Sequence, residues 1–188
     1  RQLQAVGSSI SGATIAYWDG ADPKALAKLI DGYDGVVNLA GESIGNKRWT
    51  PRQKDLLLKS RLQPAKALVQ AIRFCKTPPS KVIQASAIGY YGTGVESCSE
   101  SSPAGNDYLA KFAVEWERST QEVESLGVKR VVIRTGIVLS KGGGALQRLI
   151  LPFRWLVGGP IGSGRQIYSW IHLDDVAGAI LHLIEKPD

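Results

Sequence analysis

The sequence predicts a doubly wound α/β domain built on a parallel sheet, and three observations support this fold class. Apolar runs without polar alternation, typical of strands covered on both faces, occur at Val36–Ala40, Lys81–Ser86 and Arg130–Arg134. Segments with helical spacing separate these runs, which predicts crossover connections between parallel strands. With 188 residues, 44% of them apolar, the chain is long enough to bury a core of its own.

The first part of the chain reads as strand, helix, strand and helix. Thr14–Trp18 is short and rich in β-branched and aromatic residues, which predicts a first strand before Val36–Ala40. Pro23–Ile30 has the apolar spacing of a helix. Thr50 and Pro51 form an N-cap and first-turn signal, so the next helix is predicted from about Arg52 to Cys75.

The second part of the chain repeats this alternation. After the strand Lys81–Ser86 comes a polar loop from Gly92 to Gly105, and Gly127 is a helix stop before the strand Arg130–Arg134. Gly142–Gly144 predicts another loop. The helices predicted here are Asp107–Leu126, Ala145–Leu156 and Asp175–Lys186.

Charge and composition exclude several classes of function. The 23 Lys and Arg against 17 Asp and Glu give a net charge of +6, but the basic residues are scattered, so no nucleic-acid partner is predicted. A phosphate-bearing small molecule would use the same charge. No apolar run approaches the roughly 20 residues of a membrane span. His172 and His182 are the only histidines and the two cysteines form no CxxC pattern, so no metal site is predicted.

Small and polar residues follow each of the three buried strands. In open parallel sheets, ligands bind outside the carboxyl ends of the strands, where small residues let a flat ligand approach the backbone. Tight turns alone would also explain the glycines and alanines, but three successive loops of this kind favour a ligand site. The residues predicted to form this ledge are Asn38, Ala40, Gly41, Ser86, Ala87, Arg134, Thr135 and Gly136.

Six motifs occur along the chain in an order that resembles one known family. They are Val36–Glu42 with Arg48–Pro51, Ser86–Gly92, Asp107–Ala110 with Trp116 and Glu117, Gly142–Leu146, Leu151–Phe153, and Gly158–Gly164 leading into Ser169–Asp175. With these motifs the chain resembles the extended short-chain dehydrogenases/reductases of the NAD-dependent epimerase type. It is most similar to their atypical YfcH-like branch, which includes SulA-like and chloroplast-division-related proteins.

The resemblance implies a Rossmann-type NAD(P)-binding domain over residues 1–157 and the start of a small substrate region over 158–188. It implies NADP(H) more than NAD(H) as cofactor, bound by the ledge residues together with Lys111. The family begins with a strand and a glycine-rich pyrophosphate loop that this sequence does not show. We therefore expect the domain to be incomplete at its N-terminus, because those segments are cut or disordered, or because the chain omits them.

The resemblance also directs attention to a catalytic set. Short-chain reductases use a Tyr as proton donor or acceptor, a Lys four residues later and a Ser that binds the substrate oxygen. Here the nearest pair is Tyr108 with Lys111, at a spacing of three, while Asp107 aligns with the family's Tyr. Ala87 aligns with the family's Ser, and Ser86 lies one residue earlier. Tyr108, Lys111 and Ser86 are thus predicted as a displaced catalytic set.

Two functions follow as hypotheses. The first is an NADP(H)-binding oxidoreductase or epimerase-like protein that acts on an unknown small polar substrate. The alternative is a catalytically weak or inactive dinucleotide-binding sensor or assembly protein, with a possible protein partner. The alternative is supported by the displaced set and by Tyr168, which stands where sugar-nucleotide epimerases carry an Arg for the diphosphate, although Arg165 is nearby. The expected location is the cytoplasm, or the chloroplast stroma in a plant or alga.

Overall fold

The computed structural model describes residues 12–45, 47–94, 97–160 and 162–186. Within these ranges, no helix is both long and apolar enough to cross a membrane. Short 3-10 helices occur at Ile88–Tyr91 and Gln121–Leu126. The other elements, in chain order, are α1 (Pro23–Ile30), β1 (Gly35–Asn38), α2 (Pro51–Phe74), β2 (Lys81–Ala87), α3 (Tyr108–Arg118), β3 (Lys129–Thr135), β4 (Ile137–Ser140), β5 (Gly143–Gly144), α4 (Ala145–Arg154), β6 (Trp170–His172) and α5 (Leu173–Glu185).

The main sheet has the order β1-β2-β3, and both strand pairs are parallel. The predicted α/β fold with a parallel sheet is therefore confirmed. Ser86 lies opposite Arg134 in the register, and Ala87 lies opposite Thr135. Because all three strands run in one direction, their carboxyl ends meet at one edge, which we call the carboxyl edge.

Helices cover both faces of this sheet. Val82 and Ile83 point to opposite faces of β2, and both are fully buried. A small cluster of Leu57, Phe112 and Trp116 joins α2 to α3. The main core cluster, drawn from α1, α2, β2 and the segment 123–128, consists of Ala27, Ile30, Leu68, Val69, Ala71, Ile72, Val82, Val123 and Val128.

Local capping signals place the start of α2 as predicted. The Thr50 side chain accepts a hydrogen bond from the Gln53 amide at 3.2 Å, and Pro51 is the first helical residue. Pro has no amide hydrogen to lose in the first turn, and its fixed φ suits a helix start. The helix continues through Pro64 to Phe74, one residue short of the predicted end.

The helix predicted over Asp107–Leu126 is interrupted in the structure. The α-helix ends at Arg118, because Ser119 and Thr120 turn their hydroxyls back to the carbonyls of the residues three positions earlier. A 3-10 helix then continues to Leu126. Gly127 ends it with a φ of 79°, so the predicted stop signal is confirmed.

The strand predicted at Thr14–Trp18 is wrong. The residues of this segment have no regular secondary structure, and no strand among the described residues pairs with them. β-propensity alone does not make a strand, since a strand also needs a hydrogen-bonded neighbour. The Trp18 indole instead donates to the Asp22 carbonyl at 2.8 Å, and Asp22 caps α1.

A second, small sheet was not predicted. Its order is β5-β4-β6, with β4 parallel to β6 and antiparallel to β5. The loop prediction for Gly142–Gly144 is wrong at its last two residues, which form β5 because they pair with Leu139 and Ser140. The predicted domain division at 157/158 stays a prediction.

The last helix begins two residues before its predicted start. His172 caps it, because its Nδ1 accepts a hydrogen bond from the Asp174 amide at 3.3 Å, and α5 runs from Leu173. At the other end, the buried Lys81 ammonium donates to the carbonyls of Leu183, Ile184 and Lys186. This cation ties the carboxyl end of α5 to the start of β2.

Candidate functional site

Asn38, the predicted ledge residue at the end of β1, holds the loop that follows the strand. Asn38 is buried, and its Nδ2 donates to Gln84 Oε1 on β2 at 2.9 Å. Its Oδ1 accepts from the Ala40 amide at 3.2 Å. The side chain of Asn38 is therefore engaged in setting the path of the chain at the carboxyl edge.

A partly buried ion pair joins β3 to α3 at the same edge, and Ser86 of β2 forms a hydrogen bond to it. Arg134 Nε donates to Glu117 Oε1 at 2.8 Å, and its Nη2 donates to Oε2 at 2.9 Å. Ser86, which is buried, donates its hydroxyl to Glu117 Oε1 at 2.6 Å. Arg134, which the sequence predicts as a ligand-contacting residue of the ledge, is paired with a carboxylate in the structure.

Two tyrosines complete the surroundings of Arg134. Its guanidinium carbon lies 3.5 Å from the centre of the Tyr90 ring, and Nη1 donates to the Tyr91 hydroxyl at 3.0 Å. The hydrogen bonds to Glu117 raise the pKa of Arg134 above its usual range. A cleft of about 340 Å³ lies beside this group, lined in part by Tyr90, Glu117 and Arg130.

At the end of β3, Thr135 and Gly136 serve the packing of the backbone. Thr135 Oγ1 donates to the Ser86 carbonyl at 3.5 Å. A Cβ on Gly136 would lie 2.5 Å from the Ser169 carbonyl oxygen and 3.1 Å from the Trp170 amide nitrogen. The glycine lets the chain entering β4 lie against the chain entering β6, so on that side it faces protein.

Gly41, like Gly136, is packed closely against another part of the protein. We expected this glycine to admit a ligand, but the space in front of its Cα holds the side chain of Arg61 from α2. A Cβ on Gly41 would lie 2.9 Å from Arg61 Cζ and 3.1 Å from its Nε. The glycine therefore allows a guanidinium to lie directly under the loop at the carboxyl edge.

Arg61 is a buried cation that the sequence reasoning missed. It is 8% exposed, and its guanidinium lies 5.2 Å from the Phe112 ring centre and 4.8 Å from that of Trp116. Its Nη1 donates to the Leu57 carbonyl at 3.0 Å, whereas its buried Nε has no hydrogen-bond partner among the described residues. Burial lowers the pKa of Arg61. The signal was present, because Leu57, Arg61 and Leu68 share one helical face.

The predicted catalytic pair lies on α3. Tyr108 is 38% exposed, with the Lys54 ammonium 4.4 Å above its ring and Trp49 beside it. Partial burial raises the pKa of the Tyr108 phenol. Lys111 is exposed one turn further along. Asp107 caps the helix by accepting from the Ala110 amide at 2.8 Å, so the residue aligned with the family's Tyr has a structural task. The catalytic and cofactor-binding roles assigned from the sequence stay predictions.

The parallel sheet, its helical layers and the polar groups at its carboxyl edge define a Rossmann-type α/β domain. A sequence profile of the NAD dependent epimerase/dehydratase family matches residues 2–188, and the chain belongs to this family. An epimerase family protein of Staphylococcus aureus (strain NCTC 8325 / PS 47) is 42% identical over 163 residues, covering 85% of this chain and 53% of that protein. The chain spans about half the length of such curated relatives.

Solved structures agree with this family. The human epimerase family protein SDR39U1 (isoform 2), crystallised with NADPH, is 35% identical with a TM-score of 0.78, covering 87% of this chain and 57% of that one. A nucleoside-diphosphate sugar epimerase from Corynebacterium glutamicum is 34% identical with a TM-score of 0.78, and the match covers 91% of this chain and 35% of that one. The resemblance noted from the sequence is thus confirmed for the family, while the YfcH-like branch stays a prediction.

Proposed function

We propose that the protein binds a nicotinamide dinucleotide at the carboxyl edge and acts as an oxidoreductase or epimerase on a small polar substrate. The observation that carries this proposal is the adjacent ending of β1, β2 and β3, which places Asn38, Ser86 and Arg134 at one edge. Family membership and the similar human structure with NADPH support it. On the same grounds we propose NADP(H) rather than NAD(H).

The residues at this edge fit an anionic dinucleotide. Arg61 carries a buried positive charge that the Glu42 carboxylate partly compensates through space, without a direct ion pair between the two among the described residues. Its Nε is an orphaned buried donor, as expected next to a binding site for an anion. The residues proposed to hold the cofactor are Asn38, Ala40, Gly41, Ser86, Ala87, Lys111, Arg134, Thr135 and Gly136. The dinucleotide, when bound, supplies hydride transfer.

The proposed catalytic roles follow from the state of each group. The pKa of the Tyr108 phenol lies above its ordinary value, which is itself well above 7, so the phenol is protonated at neutral pH and we assign it the role of proton donor. The Ser86 hydroxyl donates its hydrogen bond to Glu117, which leaves only its oxygen lone pairs for a ligand, so we assign Ser86 the role of a hydrogen-bond acceptor. Lys111 is exposed, and the long flexible stem of a lysine can reach a ribose hydroxyl.

Calorimetry on the full-length protein tests cofactor binding. We expect NADPH to bind, and Lys111→Ala to weaken it roughly 5- to 30-fold, the scale of about 1 to 2 kcal/mol for a hydrogen bond to a charged donor. Lys129→Ala is a matched control, since Lys129 is exposed at the opposite, amino end of β3. Equal NADPH affinity in both variants would remove Lys111 from the site.

A panel of nucleotide sugars with NADP and NAD tests turnover. Rates on the order of 10 s⁻¹, typical of working enzymes, would establish catalysis. Tight NADPH binding without turnover would instead support the alternative of a dinucleotide sensor or assembly protein. The exposed Tyr168, in place of the family's phosphate-binding Arg, leads us to expect weak activity on UDP- or GDP-sugars.

For the location we propose the cytoplasm. The curated relatives compared above come from bacteria, which gives no support to the chloroplast stroma.

A further inference from the structure

We propose that the substrate is a carbonyl compound whose flat, apolar body packs against Ile44 and Trp49, with its oxygen at the Tyr108 hydroxyl. We call these three residues the apolar rim. The inference rests on the proposed function and narrows its substrate, because only the reacting group of such a molecule is polar. None of the three residues is among those proposed to hold the cofactor.

The polar side chains at the carboxyl edge bind one another. Both polar atoms of the Asn38 side chain have partners within the protein. Ser86 and Arg134 both donate to Glu117. A sugar needs partners for several hydroxyls when it leaves water, because a buried hydroxyl without a hydrogen bond is costly. These side chains therefore offer little hydrogen-bonding capacity to a ligand that carries many hydroxyls.

Large apolar side chains remain exposed at the same edge. They follow the ends of β1 and β2 and stand at the start of α3, and they are Leu39, Ile44, Trp49, Ile88 and Tyr108. Sites for small molecules are lined mostly by apolar and aromatic groups with a few polar groups that orient the ligand. The edge therefore fits a ligand that is apolar over most of its surface.

Contacts within the protein fix the position of the rim. The Trp49 indole donates to the Ile44 carbonyl at 2.8 Å, so the polar atom of this side chain already has a partner. The ring centres of Trp49 and Tyr108 are 5.9 Å apart, and the Tyr108 ring also contacts Lys54 and Phe112. A ring that is already held in place loses little conformational freedom when a ligand packs against it. Trp49 thus offers a rigid aromatic surface.

The Tyr108 hydroxyl is the polar group of the rim. Within the described part of the chain it has no hydrogen-bond partner, so its proton is available to a ligand. In a reduction, the carbonyl carbon accepts a hydride from the reduced dinucleotide and the carbonyl oxygen accepts the Tyr108 proton. The products are an alcohol and the oxidised dinucleotide, and the phenolate regains its proton from water.

The experiment compares two carbonyl compounds in variants of the full-length protein. 2-Naphthaldehyde is the flat apolar probe, and glyceraldehyde is the polar one. Trp49→Ala removes the ring, and Trp49→Phe keeps a flat ring. Phe74→Ala is the control, since Phe74 is an exposed aromatic residue at the opposite end of α2. Oxidation of NADPH gives kcat/KM for each compound, and calorimetry with 2-naphthylmethanol, the expected product, measures binding without turnover.

We expect the parent protein to prefer 2-naphthaldehyde, measured as the ratio of the two kcat/KM values. Trp49→Ala should lower this ratio roughly 10-fold, mainly through KM, because the ring contacts the part of the substrate that does not react. Trp49→Phe should keep most of the preference, and Phe74→Ala should leave it unchanged. A preference for glyceraldehyde, or an equal ratio in Trp49→Ala and the parent protein, would overturn the proposal.

Calorimetry separates this inference from the proposed function. A parent protein that binds no NADPH would overturn the proposed function, but 2-naphthylmethanol added to the unliganded protein would still test the rim. Affinity for this alcohol that falls roughly 10-fold in Trp49→Ala supports the proposal, whether or not the aldehydes are reduced. No binding by the parent protein, or equal affinity in both, refutes it.

A purely structural role of Trp49 predicts a different pattern. Trp49→Ala would then lower the melting temperature and leave the affinity for 2-naphthylmethanol unaltered. Ile44→Asn is a second variant, which keeps the Trp49 ring and makes the exposed surface beside it polar. We expect it to weaken binding of the alcohol as well, and unchanged affinity in this variant would count against the rim.

Discussion

Replacing Glu117 with glutamine removes the charge that holds Arg134 while it keeps the shape of the side chain. The two side chains are 19% (Arg134) and 12% (Glu117) exposed, so solvent screens their interaction poorly. A glutamine amide offers one acceptor and one donor in place of two acceptors. One of the two hydrogen bonds from Arg134 then becomes a contact between donors, and its positive charge is left uncompensated.

The partial burial of the pair sets the loss of unfolding free energy expected for Glu117→Gln. Breaking a fully buried ion pair costs about 3 to 5 kcal/mol, and a hydrogen bond to a charged group contributes about 1.5 to 3 kcal/mol. Since the pair keeps some exposure, we expect Glu117→Gln to lower the free energy of unfolding by about 2 to 3 kcal/mol. In a chain of 188 residues this lowers the melting temperature by roughly 4 to 12 °C.

A second ion pair of the same molecule provides the control. Arg73 and Glu122 also form a pair, but their side chains are 52% and 57% exposed. We expect Glu122→Gln to cost at most about 1 kcal/mol, as exposed pairs do. Urea denaturation and thermal melting of both variants measure the difference. If Glu117→Gln costs no more than Glu122→Gln, burial of the pair adds nothing and the reasoning is refuted.

Three further predictions concern the sheets, the last helix and α3. Gly136→Ala should lower the free energy of unfolding by roughly 1 to 3 kcal/mol, because the new Cβ would lie 2.5 Å from a backbone oxygen. Gly143→Ala is the control, since a Cβ there would have nothing within 4 Å, and it should leave the free energy of unfolding nearly unchanged. Urea denaturation measures both, and equal losses would contradict the prediction. Lys81→Met should lower stability by about 1 to 3 kcal/mol and speed amide exchange at the end of α5, whereas the exposed Lys129→Met should do neither. In an ultraviolet titration, the Tyr108 signal, assigned with Tyr108→Phe, should fall above the usual pKa near 10. Because the folded state holds that proton more tightly, stability should decline as pH rises through this range, and a midpoint below 10 would reverse the sign.

Local signals explain what the sequence could predict. Thr50 with Pro51, and Gly127, mark their helix ends through hydrogen bonds and φ values set within a few residues. The apolar run around Val82 shows burial on both faces directly. Because a helix connects each strand to the next, the strands are predicted to be parallel. The sequence therefore predicts both the fold class and the position of the carboxyl edge.

Non-local contacts explain what the sequence could not predict. Arg134 pairs with Glu117, which lies 17 positions earlier in the sequence. No periodicity in the sequence predicts which carboxylate pairs with Arg134. The small sheet depends on β4 pairing with β6 across more than thirty residues, and both strands are too short to stand out. Arg61 was overlooked because an arginine within a long helix usually lies on the solvated face. Its position between Leu57 and Leu68 on one face was the available sign.

The contact between Lys81 and α5 has a consequence for the order of events during synthesis. Its three hydrogen bonds span 102, 103 and 105 positions of sequence. At about 5 to 20 residues per second, a ribosome needs roughly 5 to 20 s to make that interval. For this time the nascent sheet carries a cation at the start of β2 whose acceptors have not yet been made. Water must stay at that position until α5 docks, so the amino end of the sheet closes only after α5 has been made.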